Sequence, residues 1–216
     1  IPDWFWQAVD TEAESRSVEV DECDVAYRYY PSEGKPGLLL IHGMNAHSRW
    51  WDFIAPQLLD QFAVAAMDLT GMGDSDYRYK YSAATYADEI TAVLDDVGFG
   101  NDAIVVAHSF GGYMAVKAAN IYPNRFRGLV LVDSGSRHPD DQSPKKGEGK
   151  KIQNACVFES IPHTYIVRYP CWVVSASKPT TSPIWTSAAG SGSGNGCGLG
   201  LFVIWKLCHT YLVVAA

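Results

Sequence analysis

The sequence predicts an α/β fold with a mostly parallel sheet and flanking helices. Three observations carry that expectation. Apolar runs at 38–41, 62–67, 104–107 and 128–132 lack polar alternation, as strands buried on both faces do. Segments with apolar residues at helical spacing stand between these runs. The two kinds alternate along the chain, which is the order that folds into a parallel sheet with crossover helices.

Residues 17–20 and 25–30 read as two short strands, with Glu22, Cys23 and Asp24 as the turn between them. A loop rich in Pro and Gly follows at 31–37. The strand at 38–41 ends in His42-Gly43-Met44-Asn45. Trp51, Ile54, Ala55, Leu58 and Leu59 recur at helical spacing, so 48–59 is expected to be a helix. The strand at 62–67 runs into a polar, glycine-bearing loop at 68–75. Asp68 and Asp74 in that loop are expected to be structural. Ser82 is placed to cap a helix whose apolar face is Tyr86, Ile90, Val93, Leu94 and Val97, and Gly98 stands where that helix would stop. After the strand at 104–107, residues 113–119 are helix-compatible and Pro123 ends that helix. The strand at 128–132 ends at Asp133-Ser134-Gly135.

The join between the third strand and its helix carries the chemistry. Ala107-His108-Ser109-Phe110-Gly111 has the small-x-Ser-x-Gly spacing of a nucleophile elbow. Such a turn holds the serine strained above the sheet edge. Small neighbours are needed because larger ones would collide with the adjoining strand and helix. The helix that begins there directs its N–H groups and positive dipole end toward developing negative charge.

Bulk properties narrow the alternatives. The 216 residues suffice for one domain with a core, and 47% hydrophobic with 19% charged residues describes a globular chain. A net charge of -7 argues against a nucleic-acid partner, because phosphate binding needs a basic face. No G-x-G-x-x-G, P-loop or metal-ligand cluster appears, so neither cofactor nor metal is expected. The five cysteines lack C-x-x-C pairing, which with no visible leader peptide leads to a cytoplasmic expectation. The C-terminal apolar stretch 199–216 is interrupted by Lys206 and His209, so no membrane association is expected. The partner expected is a small-molecule substrate.

Taken in order and spacing, these segments resemble the α/β-hydrolase fold family. The resemblance rests on His42-Gly43-Met44-Asn45, Trp51 with Pro56 and Leu58, the 68–75 loop, the Ser109 elbow, and the 129–133 strand end. It covers about the first 137 residues. It implies a serine hydrolase of the esterase or carbon–carbon bond hydrolase type. Epoxide and haloalkane hydrolases of this fold carry aspartate at the elbow instead. Ser109 is then the nucleophile, and the backbone N–H groups of Met44 and Phe110 form the oxyanion hole. In chain order the acid and the histidine follow the serine. His209 is the candidate base by order, and Asp133, ending the strand after the elbow helix, is the candidate acid. His47, His108 and His138 are expected only as polar neighbours of the site. A non-catalytic binder or defective gene product that keeps the fold without a working triad is the competing expectation.

The composition changes near residue 138, and the domain reading follows it: 1–137 as the core, 138–216 as an atypical tail. Residues 1–150 hold 13 basic and 23 acidic residues, whereas 151–216 hold four and one. Residues 151–216 contain no aspartate, Glu159 as sole glutamate, and the histidines His163 and His209. Cys156, Cys171, Cys197 and Cys208 also lie there, and glycine occupies every second position from 190 to 200. Residues 169–175 are the one stretch of the tail that reads as a strand. An acid-poor, cysteine-rich tail in place of a lid and further strands predicts an incomplete fold, truncated or frame-altered in its C-terminal half.

Overall fold

The computed structural model describes residues 1–134 and the backbone of two further strands, 164–168 and 172–175. A short helix α1 (Asp3–Val9) precedes the hairpin of β1 (Glu14–Val20) and β2 (Cys23–Tyr30). The alternating part follows as β3 (Gly37–Ile41), β4 (Ala63–Met67), α2 (Ala83–Asp96), β5 (Ile104–His108), α3 (Ser109–Ile121) and β6 (Gly128–Val132). Strands β7 (Thr164–Arg168) and β8 (Trp172–Ser175) complete the order. All eight belong to one sheet ordered β1-β2-β4-β3-β5-β6-β7-β8. The pairs from β4 through β7 are parallel, and β1, β2 and β8 join antiparallel at the two sides.

Strand alternation divides the core in two. Leu39, Ile41, Val105, Ala107, Leu129 and Leu131 face α2 and α3, joined there by Ile90, Val93, Leu94, Met114 and Ala118. Leu38, Leu40, Val106, Val130 and Val132 face the opposite way, onto Trp51, Ile54, Leu58 and Phe62. Each run that looked uniformly apolar therefore supplies two separate layers, because successive side chains leave a strand on opposite faces.

Two expectations are corrected. Residues 48–59 are not one helix but two 3-10 turns, Ser48–Trp51 and Ala55–Leu58. The apolar residues expected to be buried are buried, except that Leu59 is only partly so. Pro56 sits in the first turn of the second segment, where it cannot supply the N–H that would continue a helix from the first. The β1–β2 turn is Asp21-Glu22, both at positive φ (47° and 60°), as a two-residue primed hairpin requires. Cys23 and Asp24 consequently belong to β2 and pair with Val20 and Glu19.

The other local signals behave as written in the sequence. Ser82 caps α2 by accepting the Thr85 N–H at 3.0 Å, and Gly98 follows the helix at φ +73°. Strand β8 falls within the 169–175 stretch, whereas β7 had no sequence signal. Residues 190–200 lie outside the described residues. No helix among the described residues is long and apolar enough to cross a membrane.

Candidate active site

The site is built where β3, β5 and β6 end together. In register, Ile41 lies beside Ala107 and His108 beside Val132. The residues that follow, His42-Gly43-Met44, Ser109-Phe110 and Asp133, thus leave the sheet at one edge, the carboxyl edge where open α/β sheets place ligands.

Ser109 joins β5 directly to α3 with φ +49°. A non-glycine residue in the left-handed region costs about 1–2 kcal/mol. The turn is tight because the elbow helix presses on the end of β3. A Cβ on Gly111 would lie 2.2 Å from the His42 carbonyl oxygen and 2.7 Å from Ile41 Cγ2. Only a glycine lets backbone approach backbone so closely. A Cβ on Gly43 would lie 2.7 Å from His108 Nδ1 and 3.2 Å from Ser109 Cβ. Gly43 therefore lets the loop after β3 lie against the elbow. Phe110 lies in the first turn of α3, where backbone N–H groups have no intrahelical acceptor.

His42 is a strut in this arrangement. It is fully buried, and its Nε2 accepts the Leu69 N–H at 3.2 Å. The ring proton is therefore on Nδ1, which donates to the Gly43 carbonyl at 2.7 Å. Burial pushes its pKa below the ordinary histidine value, outweighing Asp68 Oδ1 at 3.8 Å. Asp68 accepts from the Ser48 N–H and, at 3.0 Å, from the Asp74 N–H. Its carboxylate is thus spent on tying the loop after β3 to the loop after β4, as expected for a structural residue.

Asp133 directly follows β6 at φ +44° and is exposed. Its charge raises the pKa of His108, while burial, the larger effect, lowers it. His108 stacks on Trp50, ring centroids 6.0 Å apart and planes 14° from parallel. The structure thus brings Ser109, Phe110, Met44 and Asp133 to one edge. The expected base His209 lies outside the described residues, as do His138, Glu159 and His163.

Two features escaped the sequence reading. One is Trp50 itself. The other is a buried cluster behind the elbow. Glu89 accepts from the Thr70 N–H at 3.1 Å, from the Thr70 hydroxyl and from Arg78 Nε at 2.9 Å. Arg78 also donates to the carbonyls of Asp21 and Val20, at 3.2 and 2.6 Å. Tyr86, one helical turn earlier, donates to the Thr70 carbonyl at 3.3 Å and meets the Phe110 ring edge-on at 5.6 Å. A signal for this existed: Glu89 falls on the apolar face of its helix, between Tyr86 and Val93. A carboxylate there must find a buried partner.

The family model described as alpha/beta hydrolase fold matches residues 36–150. Lipase LipV of Mycobacterium tuberculosis is 38% identical over 143 residues, 59% of this chain and 54% of the lipase. Pimeloyl-[acyl-carrier protein] methyl ester esterase of Edwardsiella ictaluri is 35% identical over 47% of this chain and 37% of the esterase. Among solved structures, a membrane phospholipase A described as a bacterial virulence factor superposes with a TM-score of 0.55 at 30% identity. That match covers 65% of this chain and 45% of the phospholipase. The chain thus spans about half or less of the length of these relatives.

Proposed function

The chain belongs to the α/β-hydrolase fold family, and on that premise we propose that it is a serine hydrolase of the esterase or carbon–carbon bond hydrolase type, acting on a small carbonyl substrate. The observation that carries this reading is Ser109 at φ +49° between β5 and α3, the strained position a nucleophile elbow needs. Relatives named as a lipase and a methyl ester esterase support the same class.

In this reading Ser109 Oγ attacks the substrate carbonyl carbon, and a histidine takes the hydroxyl proton. The N–H groups of Met44 and Phe110 hold the oxyanion that forms. Collapse of the tetrahedral species expels the leaving group, which receives the proton. Water then releases the acyl group by the same path. His209 is the base and Asp133 the acid that orients it. No cofactor is needed for these steps.

A fluorophosphonate probe tests the proposal, since it bonds covalently to an activated serine. Labelling of the folded chain is expected, together with its loss in Ser109→Ala. The acid-poor composition of residues 151–216 favours a second reading, a non-catalytic small-molecule binder or defective gene product that keeps the fold without a working triad. Absence of labelling in folded protein would overturn the hydrolase reading and support this second one.

A further inference from the structure

We propose that the His42 side chain positions the oxyanion hole by fixing the direction of the Met44 N–H; the inference rests on the reading of that N–H as an oxyanion donor. The Gly43 carbonyl and the Met44 N–H belong to one planar trans peptide unit and point opposite ways. Whatever holds the carbonyl therefore aims the N–H. Two donors hold it. His42 Nδ1 donates at 2.7 Å. The Ala46 N–H donates at 3.3 Å and closes a turn whose third residue, Asn45, has φ +56°, as a type II turn requires. A carbonyl oxygen has two lone pairs, so both bonds form together.

The peptide needs such a hold. Glycine has no Cβ to restrict its rotation, and the Met44 side chain, 55% exposed, gives the loop no anchor in the core. The Ala46 bond comes from within the same turn and moves with it. The His42 ring does not. It is fully buried, and its Nε2 accepts the Leu69 N–H, from the loop after β4, at 3.2 Å. The His42 backbone is fixed as well, because a Cβ on Gly111 would lie 2.2 Å from its carbonyl oxygen. One imidazole thus ties the Gly43–Met44 peptide to the body of the fold rather than to its own loop. Ser109 lies alongside, its Cβ 3.2 Å from the place a Gly43 Cβ would take. Bonds accepted at a carbonyl also polarise its peptide, which strengthens the N–H as a donor.

Two substitutions separate the two bonds of the ring. In His42→Asn the amide nitrogen can stand where Nδ1 stood, keeping the Gly43 bond and losing the Leu69 bond. In His42→Gln the amide oxygen can stand where Nε2 stood, keeping the Leu69 bond and losing the other. His42→Gln is expected to lower kcat on p-nitrophenyl acetate roughly 10- to 100-fold with KM little changed, because a misaimed donor is lost mainly from the transition state. His42→Asn should recover most of that rate, although it is the less stable of the two in urea. The Met44 amide resonance should shift in His42→Gln and stay near its wild-type position in His42→Asn. In an active chain, a kcat that is unchanged in His42→Gln, or that follows stability, would overturn the inference. So, in any chain, would a Met44 amide that moves alike in both variants or in neither. The two proposals fail separately. The expected amide pattern without fluorophosphonate labelling of the wild-type chain keeps the His42 hold and removes the hydrolase. Labelling of the wild type with both variants equally slow does the reverse.

Discussion

Ser109 pays a conformational penalty for its place in the chain. At φ +49° its Cβ crowds the following carbonyl, whereas glycine would have no Cβ to crowd. Ser109→Gly should therefore be more stable than Ser109→Ala, by about 1 kcal/mol, in urea unfolding at neutral pH. Equal stabilities would show that the surrounding packing absorbs the strain. Gly111 has the opposite character. Its missing Cβ is the space that the His42 carbonyl occupies, so the elbow depends on one residue that is strained and another that is bare.

At the scale of elements, the loop after β4 is fastened from behind by α2. Glu89 and Arg78 are both buried and bonded to each other. Burial, the largest influence, raises the Glu89 pKa, while Thr70 and Arg78 lower it. The pair joins α2, the loop at 70–78 and the β1–β2 hairpin in one cluster. Removing one partner of such a pair leaves an uncompensated buried charge. Glu89→Ala should accordingly destabilise the fold by about 3–5 kcal/mol, read as a lower urea midpoint with unchanged slope. A loss under about 1 kcal/mol, typical of exposed pairs, would mean that water reaches Arg78 after the substitution.

For the whole molecule, the joining of sheet edge to loops makes stability sensitive to mild acid. Burial lowers the pKa of both His42 and His108 below their ordinary value of about 6.5. A lowered histidine pKa means the unfolded chain binds more protons, so the contribution is present above about pH 6.5 and is lost as pH falls. Protonation of His42 Nε2 would also remove the acceptor of the Leu69 N–H. Stability should be lower at pH 5.5 than at 7.5 in urea unfolding. Glu89, raised by burial, titrates with the opposite sign. The His108 part is therefore isolated by His108→Asn, which should flatten the dependence without removing the share of His42. A slope unchanged by that substitution would assign the pH effect elsewhere.

The sequence by itself determined the buried strands between residues 38 and 132, the two helices α2 and α3 between them, the cap and stop of α2, and the tight turn at Ser109. Those features are local: side-chain period, capping chemistry and small residues beside Ser109 are all written within a few positions. Only tertiary structure decided which face each apolar residue serves, because a run buried on both sides carries no alternation to read. It also broke the expected helix at 48–59 into two 3-10 turns. The spacing of Trp51, Ile54 and Leu58 is compatible with either, and Pro56 and packing against β3 and β4 chose between them. The roles of Gly43, Glu89 and Trp50 depend on partners 11 to 66 positions away in the chain. Chain order and composition do not encode such distances, which arise when β3, β5 and β6 end at the same edge.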